Sequence, residues 1–147
     1  EKVILLAPTD MTGWANTEPK HTEYLAKAEQ LMSEGKGEEL VDAQCWIDKT
    51  PISAQTYPTI SKAGSSADIY GNREGRSLLG RVELPMLIPY GTEDIGITQI
   101  DGSMDKWTER VAKIKNDNTQ IAIVEGASHG FRGYEKHLSE IVEEFIA

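Results

Sequence analysis

The sequence contains a single cysteine, Cys45, among its 147 residues. One thiol cannot form an internal disulfide, and the lack of any C-x-x-C motif or His/Cys cluster predicts that the chain has no metal site. This cysteine usage favours a reducing compartment, so we expect a cytoplasmic location. We interpret Cys45 as a small buried side chain, because no histidine lies near it in the sequence.

Positive charge is scarce: 15 Lys and Arg residues stand against 24 Asp and Glu residues, a formal net charge of −9. Without a basic stripe, we expect neither nucleic acid nor an anionic membrane surface as a partner. Long apolar runs are absent too, and the longest, VILLA at 3–7 and IAIV at 121–124, are too short to span a bilayer. No Gly-rich phosphate loop follows the first apolar run, where APTDM stands at 7–11, so we expect no nucleotide cofactor.

An initiating methionine is also missing, and the chain opens on a charged pair directly before an apolar run. This beginning leads us to expect a chain cut from the middle of a longer protein, so the lack of a signal peptide carries little weight. The length corresponds to one domain with a moderate core.

Apolar runs alternate with helical periodicities along the chain. Continuous apolar runs predict three β-strands, at 2–8, 85–91 and 119–126, of which the first is buried on both faces and the second is also buried. Apolar residues at helical spacing predict helices within 17–37, where Gly35 and Gly37 stop the helix, and over 103–116 and 134–147. This alternation is typical of βαβ units, so we predict an α/β fold with about three parallel strands and flanking helices.

Residues 11–84 separate the first two predicted strands, which is far more chain than one crossover helix requires. Insertions of this length are typically lids or binding surfaces, so we interpret 11–84 as a cap-like insertion within a single domain, 1–147. A two-helix crossover with a long loop is the alternative. Within the insertion we predict a short strand or turn at 40–47 and a weak helix, interrupted by a proline, at 51–63.

Two polar loops follow the second and third predicted strands, where reactive groups gather in open α/β sheets. Asp94 ends the first loop, GTED at 91–94, and His129 lies in the second, EGASHG at 125–130. Adjacent strands lie about 5 Å apart, so the two side chains can meet. A carboxylate bonded to one imidazole nitrogen fixes the tautomer and stabilises the imidazolium that forms at the other. We predict that Asp94 and His129 form an acid–base pair, with Glu93 as the alternative acid.

Residues 126–130, GASHG, also fit the G-x-S-x-G nucleophile elbow, which would make Ser128 the nucleophile. A helix follows such an elbow directly, but Gly130 and Gly133 interrupt the next turn. The acid and then the histidine follow the serine in elbow enzymes, whereas after Ser128 the chain offers only His129, its direct neighbour, and His137, and no further strand presents an acid. We therefore reject the elbow interpretation.

These motifs, in this order, resemble the C-terminal half of an α/β-hydrolase. PMLIPYGTED at 85–94 is similar to the family's P-x-L-x-x-x-G-x-x-D segment, and VEGASHGF at 124–131 is similar to its G-x-x-H-x-F segment. The resemblance implies a partial α/β-hydrolase fold, with Asp94 as the catalytic acid and His129 as the general base of a Ser-His-Asp triad. It also implies that the nucleophile elbow and the oxyanion hole lie outside this chain.

On this resemblance, we expect a fragment of a serine hydrolase, a carboxylic-ester hydrolase that acts on a small ester-like substrate. The chain is expected to be inactive without its nucleophile half. The alternative is a non-catalytic α/β module for binding or assembly, a decayed hydrolase. A flavodoxin-like nucleotide module is a third option, which the lack of a Gly-rich phosphate loop after the first strand disfavours. Missing strands would expose the edge of the first strand, so we expect the absent half, another chain or a second copy to pair with it.

Other polar and aromatic residues carry further predictions. Trp14, just beyond the first strand, is interpreted either as lining a pocket or as lid packing, and Trp46 as a core anchor. His21 is predicted to be exposed on a helix. Arg73 and Arg76 are interpreted as part of a solvated loop, with binding of a substrate carboxylate as the alternative.

Overall fold

The computed structural model describes residues 1–46, 49–71 and 77–147. The chain divides into two compact units: Glu1–Thr9 with Gly75–Ala147, and Asp10–Glu74. We call the first the sheet unit and the second the insert unit. The insert unit covers most of the span 11–84 interpreted as a cap-like insertion, whereas the end of that span, from Gly75, belongs to the sheet unit. The role of the insert unit as a cap stays a prediction.

The helices and strands of both units are short. In chain order they are β1 (Val3–Ile4), α1 (Met11–Ala15), α2 (His21–Ser33), β2 (Leu40–Asp42), β3 (Ile52–Ser53), α3 (Thr56–Ser61), β4 (Met86–Gly91), α4 (Ile95–Ile100), α5 (Met104–Ile114), β5 (Thr119–Val124) and α6 (Glu135–Ile146). A single 3₁₀ turn, Leu79–Arg81, precedes β4.

The sheet unit is built on three parallel strands in the order β1-β4-β5. Val3 is the register partner of Met86, and β4 and β5 pair along their full length, from Met86 with Thr119 to Gly91 with Val124. In the insert unit, β2 and β3 form a separate antiparallel pair. The prediction of an α/β fold with three parallel strands is therefore confirmed.

Strand β1 is shorter and more exposed than predicted. The expectation of a strand over 2–8, buried on both faces, is wrong, because β1 is half-buried and Leu6 beyond it is 56% exposed. The backbone N–H groups of Leu5 and Ala7 still bond to the Leu87 and Pro89 carbonyls of β4, at 3.0 and 3.1 Å. The physical reason is position in the sheet: β1 is an edge strand, whereas the central strand β4 is buried throughout.

The two long helices of the sheet unit form where the periodicity predicts them. The Ser103 hydroxyl accepts the Lys106 backbone N–H at 3.3 Å and caps α5, a role for which serine is preferred. Trp107 of α5 is buried, with its ring 4.2 Å from that of Tyr90 on β4. Helix α6 begins and ends within one residue of the predicted span.

Helix α2 begins later than predicted. The helix expected within 17–37 is confirmed only for His21–Ser33, because the chain preceding it makes single turns, with Glu18 bonded to Ala15. It ends before Gly35, whose φ of +74° lies in the left-handed region that favours glycine. Its apolar face packs on a small core around Tyr57 that includes Cys45, so the prediction of a buried cysteine is confirmed.

The weak helix predicted at 51–63 contains two elements instead of one. Strand β3 occupies its beginning, and α3 follows with Pro58 inside the helix instead of breaking it. Proline is tolerated there because the first turn of a helix leaves its backbone N–H groups without intrahelical partners. The short helix α1 was not predicted from the sequence, although Asp10 caps it by accepting the Gly13 N–H at 2.7 Å.

Candidate acid–histidine site

Three hydrogen bonds tie together the loops that follow β4 and β5. Thr92 donates its backbone N–H to the Val124 carbonyl at 3.2 Å, and its hydroxyl accepts the Gly126 N–H at 2.8 Å. The Glu93 N–H bonds to the Ala127 carbonyl at 2.9 Å. The two loops are therefore held against each other directly beyond the carboxyl ends of paired strands.

Two glycines make this close approach possible. A Cβ at Gly91 would overlap the carbonyl oxygen of Ala127, so any larger residue would push the loops apart. Gly126 has a φ of +75°, and a Cβ there would collide with the Tyr134 hydroxyl. Close contact and backbone conformation thus both require glycine at the start of the histidine loop.

Asp94 is held by both of its carboxylate oxygens. Oδ1 accepts the Gly96 N–H at 2.9 Å and caps α4, while Oδ2 lies 2.9 Å from Nδ1 of His129. The Asp94 side chain is 3% exposed. The helix cap thus fixes the orientation of the carboxylate that faces the imidazole.

His129 has one ring nitrogen engaged and the rest of its ring in contact with solvent. Its side chain is 55% exposed, and in the described part of the chain no group hydrogen-bonds to Nε2. An imidazole whose Nδ1–H donates to a carboxylate carries its lone pair on Nε2 and can accept a proton there. The contact predicted between Asp94 and His129 is present, and their catalytic roles stay a prediction.

Phe131 anchors the histidine loop from the other side. Its ring is buried, and its backbone N–H bonds to the Ser128 carbonyl at 3.0 Å. Its φ of +52° is unusual for a residue with a side chain and costs about 1–2 kcal/mol. Burial of the ring offsets that cost, so the loop carrying His129 is fixed at both ends, by Gly126 and by Phe131.

The neighbouring candidates have different surroundings. Glu93, the alternative acid, is exposed, and its backbone N–H bonds to the Ala127 carbonyl. In the described part of the chain, the carboxylate bonded to the His129 imidazole is that of Asp94 and not that of Glu93. Ser128 is exposed in the loop, and the next helix begins only at Glu135. Ser128 therefore does not stand on a strand–turn–helix elbow, in agreement with the rejection of that interpretation.

Sequence reasoning missed two parts of the site. Helix α4 and its cap by Asp94 were not predicted, although aspartate is among the preferred N-cap residues and the following residues could have suggested a helix start. The Thr92 hydroxyl that holds Gly126 left no signal in the sequence, because its partner is 34 residues away.

His21, in the insert unit, is not exposed as predicted. It is half-buried, with Nδ1 3.0 Å from the Tyr57 hydroxyl. Burial lowers the pKa of the His21 imidazole, and the negative charge of Glu18 partly opposes this shift. The prediction fails because the helix turns this position toward the buried Tyr57 ring.

Neither a metal-binding cluster nor a membrane-spanning helix is present in the described ranges. Within 1–46, 49–71 and 77–147, no group of three or more His, Cys, Asp or Glu side chains is arranged to hold a metal ion. In the same ranges, no helix combines the length and the apolar character needed to cross a bilayer. Arg73 and Arg76 lie outside the described residues, so their interpretation stays open.

Comparison with known proteins adds no family. No protein-family model matches the chain, and no curated protein matches its sequence. Any functional conclusion therefore rests on the fold and on the geometry of Asp94 and His129.

Proposed function

We propose that this chain carries the acid and the general base of a Ser-His-Asp triad in a carboxylic-ester hydrolase of the α/β-hydrolase fold. The observation that carries the proposal is the 2.9 Å contact from Asp94 Oδ2 to His129 Nδ1, with the acid buried and the imidazole open to solvent. A buried, oriented carboxylate behind an accessible imidazole is the arrangement that proton transfer to and from an external group requires.

The proposed chemistry is acyl transfer in two steps. His129 Nε2 takes the proton of a serine hydroxyl as the serine oxygen attacks the ester carbonyl, and Asp94 stabilises the resulting imidazolium. Nε2 then returns this proton to the leaving alcohol, which produces an acyl-serine. In the second step Nε2 takes a proton from water as the water oxygen attacks the acyl-serine, and it returns this proton to the serine oxygen as the carboxylic acid is released. Neither Asp94 nor His129 is consumed.

The serine of this proposal lies outside the chain. Ser128 follows β5 without an elbow, and it directly precedes the histidine it would have to reach. A hydrolase of this kind presents its serine on a strand–turn–helix elbow and forms its oxyanion hole partly from the backbone N–H that follows. The proposal therefore requires a second segment that presents both to His129.

The free edge of β1 is where we propose that this segment, or a second chain, pairs. β1 bonds to β4 on one side, and among the described residues no strand lies along its other side. Leu6, just beyond β1, exposes 56% of its surface. An unpaired edge with an exposed apolar residue beside it favours strand addition.

A non-catalytic assembly module is the second candidate. The same two observations favour it, the free β1 edge and an Nε2 that no described residue engages. In that case the Asp94–His129 contact would only stabilise the two loops.

An assay of ester hydrolysis distinguishes the two functions. It uses the protein encoded by the full natural coding sequence that includes this chain. We expect hydrolysis of p-nitrophenyl butyrate and labelling of one serine by a fluorophosphonate probe. His129→Ala is expected to lower kcat about 10²–10⁴-fold, the usual contribution of a general base. His137→Ala is the matched control, since His137 is an exposed histidine on α6 and should leave the activity unchanged.

Three outcomes would contradict the hydrolase proposal. They are full activity in His129→Ala, no fluorophosphonate-labelled serine, or esterase activity in the 147-residue chain that His129→Ala abolishes. The last would mean that the serine is inside this chain after all. Absence of hydrolysis and of labelling, together with stable association through β1, would support the assembly module.

A further inference from the structure

The insert unit contains a small cavity with two tryptophans and a carboxylate in its wall. Its volume is about 110 Å³, and it is lined by Trp14, Ala15, Thr17, Glu18, Cys45 and Trp46. Pockets for drug-sized ligands begin at roughly 300 Å³, so this cavity accommodates a single compact group. Trp14, interpreted from the sequence as lining a pocket or packing as a lid, forms part of the wall of this cavity.

The wall of the cavity combines apolar, aromatic and polar surface. Ala15 and Cys45 are buried and present small apolar surfaces, while Trp14 and Trp46 are half-buried and retain exposed surface. Tryptophan has the aromatic face that attracts cations most strongly, because of its large negative quadrupole. The walls therefore suit a group that is both apolar on its surface and positively charged.

Glu18 supplies a negative charge without a positive partner. Its carboxylate accepts the Lys20 backbone N–H at 3.1 Å, and no lysine or arginine of the described residues forms an ion pair with it. None of the six lining residues carries a positive charge. A cation in the cavity would thus meet an unneutralised carboxylate.

The charge of Glu18 is also felt by side chains nearby in the insert unit. Burial is the main cause that raises the pKa of the Tyr57 phenol, and Glu18 adds to it. The pKa of the Tyr24 phenol is raised in the same way, by burial first and then by the charges of Asp42 and Glu18. In each case the negative charge of Glu18 disfavours ionisation of the phenol to a phenolate. The same charge would favour a cation nearby.

We propose that this cavity binds a compact alkylammonium group, of the size of a trimethylammonium head. Methyl groups on the nitrogen can contact Ala15 and Cys45, and the charge can interact with the indoles and with Glu18. A neutral alkyl group of the same shape can make the first contact but not the second. A bare ammonium ion would lose strong hydration on entering the cavity. Its lining residues include neither Asp94 nor His129.

Choline and its neutral isostere 3,3-dimethylbutan-1-ol test the charge requirement on the 147-residue chain. With ¹⁵N-labelled tryptophan, the three indole N–H signals report Trp14, Trp46 and Trp107 separately, after assignment by single Trp→Phe variants. We expect choline to shift the Trp14 and Trp46 signals and to leave Trp107, on α5, unchanged. The neutral isostere should bind about tenfold more weakly, the factor that corresponds to loss of a cation–π contact.

Glu18→Gln keeps the size of the side chain and removes its charge, and it should weaken choline binding severalfold. Glu23→Gln is the matched control: Glu23 is exposed on α2 and does not line the cavity, so it should have no effect. Equal affinity for choline and the isostere would overturn the proposal, as would choline shifts confined to Trp107 or no shift at all. Unchanged choline binding in Glu18→Gln would overturn it too, because the carboxylate would then contribute nothing to binding.

Discussion

The Asp94 carboxylate and the His129 imidazole, 35 residues apart in the chain, meet at 2.9 Å beyond the ends of two paired parallel strands. The contact is asymmetric, since the acid is buried and fixed by a helix N–H while the imidazole is open to solvent. The acid is therefore placed to orient the base, and the base to reach an external group.

Asp94→Asn is expected to change the tautomer of His129. A carboxylate only accepts hydrogen bonds, so it favours the tautomer with the proton on Nδ1. The asparagine amide can either donate to Nδ1 or accept from it, so this tautomer is no longer favoured over the Nε2–H form. Asparagine also caps helices, so the free energy of unfolding should change little. ¹⁵N shifts of the neutral His129 ring in the 147-residue chain measure the tautomer. Glu93→Gln is the control, and an unchanged tautomer in Asp94→Asn would contradict the orienting role.

Gly126→Ala is expected to lower the free energy of unfolding by about 1–3 kcal/mol, because the new Cβ meets both an unfavourable φ and the Tyr134 hydroxyl. Gly130→Ala in the same loop is the control: nothing lies within 4 Å of a Cβ there, so its effect should stay within about 0.5 kcal/mol. Urea unfolding measures both. Adding Tyr134→Phe to Gly126→Ala should restore part of the loss, and equal effects of the two single variants would contradict the steric account.

Thr92→Val is expected to loosen the histidine loop. The variant keeps the shape of the side chain but leaves the part-buried Gly126 N–H without its acceptor, at a cost of about 1–3 kcal/mol. Thr92→Ser retains the hydroxyl and should behave like the natural protein. Hydrogen exchange of the Gly126 amide reports the bond directly. Unchanged exchange in Thr92→Val would show that this hydroxyl does not hold the two loops together.

Stability should depend on pH through His21. Burial holds the pKa of the folded imidazole below its ordinary value of 6.5, so below that pH the unfolded chain binds a proton that the folded chain resists. The contribution is fully present above pH 6.5 and is lost as the pH falls through the lowered pKa of the folded state. Urea unfolding above and below pH 6.5 should reveal this loss.

His21→Gln removes the titrating group and should flatten the pH dependence in this range. His137→Gln, which changes an exposed histidine, should preserve it. If His21→Gln and the natural protein lose stability equally on acidification, His21 is not the source.

The pattern of apolar residues predicted several helices and strands correctly. Position at the edge of the sheet and short length explain the elements that it did not predict. Strands β4 and β5 and helices α5 and α6 follow from apolar runs and helical spacing, since burial demands the same pattern wherever such an element packs. β1 has a similarly apolar sequence yet is half-exposed, because the sheet order makes it an edge, and β5 at the other edge is partly exposed as well. The short elements α1, α4 and β3 were not predicted, because so few residues do not show a clear periodicity.

The sequence by itself determined that an acid and a histidine follow consecutive parallel strands, because chain order and strand type dictate that such loops leave the same end of the sheet. The tertiary structure alone decided that Asp94 also caps α4, that Thr92 holds Gly126, and that the half-buried His21 contacts Tyr57. Each of the last two contacts joins residues more than 30 positions apart, and the first depends on a helix of six residues. Neither a long-range contact nor the cap of a short helix produces a periodic pattern in the sequence. Both are therefore visible only in the folded structure.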